Sequence, residues 1–382
     1  MPRLSTRIAL PAVVLASAVA LAGCSASAGA GAGDDGSLRI VATTTQMGDV
    51  VREIVGDDAE VTQLLQPGQS AHSYDPTPEA LTALANADVL VINGAGLEEW
   101  LDDTIEASGF DGELVDASAD VHLHEGQGHE HGEEGHSEEE HAEEEHADEA
   151  SADPAASGAS AEPAASESAN EPAESESADE HAEEEHDHDH GGSDPHVWSD
   201  PHQVVHMAET IGTAIAAADG ADADAIDAAT DAYVAQLEEL DAWVHGSIDQ
   251  VPAEQRLLVT NHDTFSYLAE ATDMTIVGSV MPSFDDNAEP SAADIDALVS
   301  AIRDSGVRAV FSETSIDPQI AETIASEADV QVYSGEDALY ADSLGAEGTP
   351  GATYVGSVVH NVTLIVESWG VEPLPVPDTL AE

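Results

Sequence analysis

The sequence predicts an α/β protein: two β/α lobes, each with a mostly parallel sheet, joined by one long rigid helix and facing each other across a cleft. Three observations carry this. Short apolar runs alternate with helical stretches over 38–116 and again over 256–333, and such alternation implies parallel strands with crossover helices. Between the two series lies a helical pattern at 222–249, in which Ile226, Tyr233, Leu237, Leu240 and Val244 keep an i, i+3/i+4 rhythm. A stretch at 120–192 interrupts the first series with a composition that cannot support a core. The 382 residues suffice for two modest domains, and a hydrophobic content of 42% supplies their interiors.

The chain opens with Arg3 and Arg7, then an apolar run from Ile8 to Leu21 interrupted only by Pro11 and Ser17. That run is too short for a stable bilayer span. It ends in Leu21-Ala22-Gly23-Cys24, which resembles the lipobox of bacterial lipoproteins. The resemblance implies that 1–23 is a signal peptide and that Cys24 carries lipid, with 24–37 as a flexible tether. Cys24 is the only cysteine, so an internal disulfide and a cysteine metal site are both excluded.

The first lobe is expected over 38–221. Leu38 to Thr44 reads as a buried strand, followed by Val50, Val51, Ile54 and Val55 at helical spacing. Strands are expected at 61–65, 88–92 and 113–116, with helices from Pro78 through 87 and over 97–107. After the insert, helices are expected at 200–218 and 222–249. The second lobe, 250–382, alternates strand 256–260, helix 264–272, strand 274–279, helix 291–304, strand 307–311, helix 317–327 and strand 329–333, and closes with a helix over 353–369. Ligands in open α/β folds bind beyond the carboxyl ends of the strands, and a cleft between two such lobes is the default site.

Charge narrows the ligand. There are 79 acidic residues against 7 arginines and no lysine, giving a formal charge of -72. A polyanion of this kind argues against nucleic acid, whose recognition rests on cationic contacts to phosphate; it suits cations, and it equally fits a surface that keeps a protein soluble or a saline habitat. The insert concentrates this character. It contains His122, His124, His129, His131, His136, His141, His146, His181, His186, His188 and His190, often flanked by Glu, and its centre is Ser/Ala/Glu/Pro repetition. Such a segment is expected to be disordered and to offer weak, multiple, exchangeable metal sites; a plain solvated spacer is the alternative.

Four residues outside the insert sit on loops where the lobes would meet. His72 lies in a polar loop after a strand, stiffened by Pro76 and Pro78; His196 precedes a helix between Pro195 and Pro201; His262 follows Leu257-Leu258-Val259-Thr260-Asn261; Asp342 lies in a loop after the last strand. Imidazole and carboxylate are good zinc ligands, and zinc takes four in a tetrahedron. His202 and His206, one helical turn apart, have no third ligand nearby and read as a surface pair; His245 and His360 read as surface or packing residues, and Glu98 and Trp100 as packing.

The segments His72-Ser73-Tyr74-Asp75-Pro76-Thr77-Pro78, Asn93 to Trp100, Asp194 to Pro201 and Thr260 to Ala269 resemble, in order, the hallmark segments of the zinc/manganese solute-binding lipoproteins of ABC importers, the cluster A-I or ZnuA type. The resemblance spans about 38 to 369 apart from the insert. It implies the two-lobe fold with its linking helix and a metal bound between the lobes by His72, His196, His262 and Asp342, the last being the least secure position. It implies Glu313 as a residue orienting a ligand imidazole. It also implies an ABC permease and ATPase as partners, an extracytoplasmic, lipid-anchored location, and a monomer. Manganese-binding relatives usually carry Glu where this chain has His262, so Zn(II) is the expected cargo and manganese the alternative. An enzyme is not expected: no His-Glu-x-x-His, Gly-x-Ser-x-Gly or phosphate-binding glycine loop occurs. A surface zinc buffer or adhesin is the remaining rival.

Overall fold

A computed structural model describes residues 37–124, 193–281 and 290–381. Cys24 with its expected lipid, the tether, and the insert histidines from His129 to His190 lie outside the described residues.

The first series forms β1 (Leu38–Ala42), α1 (Thr45–Val55), β2 (Ala59–Gln63), α2 (Pro78–Leu84), β3 (Val89–Ile92), α3 (Leu101–Ser108) and β4 (Glu113–Asp116). The strands make one parallel sheet in the order β2-β1-β3-β4, with Ile40 opposite both Val61 and Val89. β1 and β3 are the central strands and their residues are almost wholly buried, whereas the edge strands β2 and β4 are mostly half-buried or exposed. This is the division expected of a parallel sheet covered on both faces. Helix starts follow local chemistry. The Thr44 hydroxyl accepts from the Met47 N–H to begin α1, and that of Thr77 accepts from Ala80 ahead of Pro78 in α2.

α3 starts at Leu101 rather than at 97. Gly94, Ala95 and Gly96 all have positive φ, at 80°, 54° and 81°. Three left-handed residues cannot open a right-handed helix, so the chain turns here and the helix begins only after Trp100.

α4 (Pro201–Ala217) leads into α5 (Ala223–Ile248), whose 26 residues span about 39 Å. α5 packs on α4, on α1 and on α9 (Tyr354–Ser368) near the chain's end. Gly212 of α4 meets the Thr230 side chain of α5, and a Cβ there would overlap it.

The second series comprises β5 (Leu257–Thr260), α6 (Ser266–Ala271), β6 (Thr275–Ser279), α7 (Ala292–Ser305), β7 (Ala309–Phe311), α8 (Gln319–Ala328) and β8 (Gln331–Tyr333). Every pairing is parallel, but the hydrogen bonding falls into two ladders, β5-β6 and β7-β8. β5 and β7 lie side by side. A small core of Val259, Leu298, Val299, Ile302, Val310 and Ile324 fills the space under α7 and α8. The larger core runs from the first sheet through α4 and α5 into α9 and reaches Phe265, Phe311 and Leu339. Among the described residues no helix is long and apolar enough to cross a membrane.

The insert leaves and re-enters at one place. The Asp194 N–H donates to the His124 carbonyl at 3.1 Å. The Tyr267 hydroxyl on α6 donates to the Asp194 carbonyl at 2.8 Å and accepts from the His124 N–H at 3.1 Å. The His124 ring stacks on that of Tyr267 with centroids 3.9 Å apart, and its Nε2 is 3.2 Å from Glu270 Oε2.

Candidate metal centre

Four side chains from four separate loops converge between the lobes. His72 stands between β2 and α2, where its N–H donates to Ser70 Oγ at 3.2 Å and the neighbouring Ala71 carbonyl accepts from Trp100 Nε1 at 2.9 Å. His196 stands just before a 3-10 turn, Val197–Ser199, and Asn93 Nδ2 donates to the Pro195 carbonyl behind it at 3.1 Å. Asp200 then caps α4, so this histidine is fixed between two stiff points. His262 follows β5. Asp342 follows β8, in a loop whose start is tied to the end of β7 through a parallel bridge of Leu339 with Glu313.

One ligand atom from each of His72, His196, His262 and Asp342 lies within 4.8 Å of every other. His72 Nε2 is 3.3 Å from His196 Nε2, and His262 Nε2 is 3.1 Å from Asp342 Oδ1. His196 Nε2 lies 3.7 Å from the same oxygen, and His72 Nε2 lies 3.9 Å from Asp342 Oδ2. Only the His72 side chain keeps appreciable exposure, 14% against 0–1% for the other three. Asp342 Oδ2 is buried with no hydrogen-bond partner among the described residues. A buried acceptor left in that condition is costly, and a cation amid three imidazoles would satisfy it.

On His196 and His262 the ring nitrogen facing away from the centre meets a carboxylate. His196 Nδ1 is 2.7 Å from Asp194 Oδ1, which also accepts the His196 N–H at 3.0 Å; the Ser266 hydroxyl donates to the other Asp194 oxygen. His262 Nδ1 is 2.7 Å from Glu313 Oε2, and Glu313 Oε1 accepts the His262 N–H at 3.0 Å. Such contacts fix ring orientation and tautomer. Burial opposes the charge on His262, but Asp342 and Glu313 outweigh it and hold its pKa well above 6.5. Burial likewise opposes the charge on Asp342, and the histidines, His262 foremost, hold its carboxyl well below the usual carboxylate range. The two shifts favour the charged pair, imidazolium and carboxylate, over the neutral one.

The structure brings the four ligand candidates and Glu313 together. It places His122 exposed and His124 half-buried at the root of the insert, apart from this cluster. His202 and His206 lie side by side on α4, ring centroids 5.2 Å apart, with His206 Nδ1 3.4 Å from Glu209 Oε2. His245 pairs with Asp241 on α5, and His360 Nε2 reaches the Ala338 carbonyl. Glu98 is buried and accepts from the Thr43 hydroxyl at 2.6 Å and from the N–H groups of Asn93 and Gly94. Burial outweighs these bonds and raises its pKa to about 7. Asp194 stands out in the sequence only by its position two residues before His196, within the same Pro-stiffened motif.

A family profile described as zinc-uptake complex component A, periplasmic, matches residues 40–181 and 153–368. The chain belongs to the ZnuA family. Two relatives cover nearly its whole length. The manganese-binding lipoprotein MntA of Halalkalibacterium halodurans is 27% identical over 354 residues, 93% of this chain and 96% of its own. The iron-binding protein YfeA of Yersinia pestis is 25% identical over 332 residues, 87% of this chain and 86% of its own. Among solved structures, the periplasmic zinc-binding protein TroA of Treponema pallidum superposes with a TM-score of 0.64 at 23% identity, covering 87% of this chain and 99% of TroA. This shared architecture is the two-lobe solute-binding fold. As a ZnuA-family protein, the chain is a metal-binding, substrate-binding component of an ABC importer, and not an enzyme.

Proposed function

We propose that this chain captures Zn(II) outside the cytoplasmic membrane with His72, His196, His262 and Asp342 and delivers it to an ABC permease served by its ATPase. The observation that carries the reading is His262. It adds a third imidazole, itself buried, aimed at Asp342 and held from behind by Glu313. Three imidazoles and one carboxylate form a nitrogen-rich set that suits zinc, whereas manganese favours oxygen. With zinc bound the site carries a net charge of about +1, less demanding to bury than a bare dication. The exposed edge of His72 is the side from which the ion enters, and Asp194 and Glu313 keep His196 and His262 turned toward it.

The remaining parts follow the same reading. Residues 38–221 and 250–382 form the two lobes and 222–249 the helix linking them. Cys24 carries the lipid that anchors a monomer to the membrane. The histidines of 120–192 bind further zinc weakly, because ordering a chain around an ion costs affinity that a preformed cleft keeps. Manganese is the second reading, favoured by the manganese-binding relative named above.

Competition titrations with zinc and manganese on the full chain, on His262→Ala and on a chain lacking 120–192 test this. One tight zinc equivalent is expected with and without the insert, extra weak equivalents only with it, and a zinc affinity loss beyond about 100-fold in His262→Ala, exceeding what loss of an outer contact causes. Tight manganese with negligible zinc binding would overturn the assignment.

A further inference from the structure

The loop bearing Asp342 follows a strand of the C-terminal lobe, yet the backbone hydrogen bonds on either side of Asp342, at Ala341 and Leu344, run to the N-terminal lobe. The Ala341 carbonyl accepts from Gln46 Nε2 and from Trp198 Nε1, each at 3.0 Å. Two donors use both lone pairs of that oxygen. The Leu344 N–H donates to Thr45 Oγ1 at 2.8 Å, and the Thr45 hydroxyl donates to Gln46 Oε1 at 2.9 Å. Thr45 and Gln46, the first residues of α1, therefore close a ring of hydrogen bonds around Asp342 and Ser343. The Gly68 N–H adds a bond to Ser343 Oγ at 2.8 Å. Gln46 and Trp198 are buried, at 1% and 5% exposure. On the strand side, hydrogen bonds to the C-terminal half end at Tyr340, which exchanges two with Asn361 of α9, next to Leu339 bridged to Glu313; within the clasp, the Asp342 carboxylate meets His262.

We propose that Gln46 and Trp198 are positioning residues for Asp342, so that the N-terminal lobe, rather than the strand leading to the loop, sets the place of the fourth ligand. The inference rests on Asp342 being a ligand, as proposed above. A carboxylate on an unanchored loop must be ordered each time metal binds; one held by the clasp is already in place. Trp198 is also two residues from His196, and its ring meets the His196 ring edge-on at 5.2 Å between centroids. The Trp198–Ala341 bond thus joins two candidate ligands through one indole. A loosened clasp shortens the residence of the metal, since changes of this kind act mainly on dissociation.

Cobalt(II), added to the full chain at less than one equivalent, serves as the probe: its visible bands report the ligand set, and a chelator chase gives its dissociation rate. Trp198→Phe removes one N–H donor and keeps a ring against His196. Gln46→Met removes the other donor without touching His196. Each is expected to release cobalt about 5-fold faster, with bands displaced toward those of Asp342→Asn. In an Asp342→Asn background either change is expected to add nothing, a non-additivity that a general loss of stability would not produce. Wild-type bands and rates in both clasp variants alongside a changed Asp342→Asn, or full additivity in the double variants, would overturn the inference and leave Asp342 as a ligand. Wild-type behaviour of Asp342→Asn itself would instead remove Asp342 from the ligand set and the inference with it.

Discussion

His262 sits between two carboxylates, and that fixes how the centre responds to pH. Asp342 and Glu313 override burial and hold its pKa well above 6.5, so the metal-free site carries a proton near neutrality that an incoming ion displaces. Zinc binding at pH 7 is therefore expected to release protons, seen as a dependence of calorimetric heat on buffer ionisation enthalpy. Affinity is expected to fall with decreasing pH already from above 6.5, whereas an ordinary histidine would delay the fall. The stability of the metal-free protein follows with the opposite sense. A raised folded pKa contributes stability that is complete below 6.5 and is lost as pH rises through the folded value. Asp194, 2.7 Å from His196 Nδ1, makes a second prediction: Asp194→Asn should weaken zinc about 10–100-fold in chelator competition. The four candidate ligands could be named from the sequence because each stands in an ordered, Pro-stiffened or strand-terminal motif. Asp194 was not legible, since an acid carries little signal in a chain with 79 of them. Gln46 and Trp198 were not either, because their partner is a backbone oxygen some 295 and 143 residues away.

Elements were legible where local chemistry decides them. The Thr77-Pro78 start of α2, the Ser291 capping box of α7 and the 3.6-residue rhythm of α5 all produce the helices their residues announce. Two departures have tertiary causes. The second lobe splits into two ladders because β7 and β8 are only three residues each and pair chiefly with one another, a choice no strand propensity encodes. The late start of α3 comes from the turn at Gly94, where φ is 80° and a Cβ would overlap the Asp116 carboxylate and Ser118 Oγ. Gly94→Ala is expected to destabilise the protein by about 2–3 kcal/mol in denaturant unfolding. Gly220→Ala, with φ 96° and open space around the site, should cost about 1 kcal/mol, the backbone strain alone.

Across the whole molecule, the first sheet is locked to the site by a buried acid. Glu98 joins Thr43 beyond β1 to Asn93 beyond β3. Burial raises its pKa from 4.5 to about 7, so its contribution to stability is present below 4.5 and is lost as pH rises through about 7. Glu98→Gln is expected to flatten that limb in melting curves taken between these values. Because the four candidate ligands come from both lobes, zinc should stabilise the fold as one unit, by about 4 kcal/mol at a thousand times its dissociation constant. The root of the insert has a further consequence. The Asp194 N–H bonded to the His124 carbonyl brings the two ends of the insert together, and the entropy of closing a chain between two such ends grows only with the logarithm of its length. Halving it should alter folding stability by only about 0.6 kcal/mol. A shortened segment is therefore expected to leave the His124–Asp194 junction closed and the cleft's single tight zinc equivalent unchanged, which calorimetry on such a variant checks.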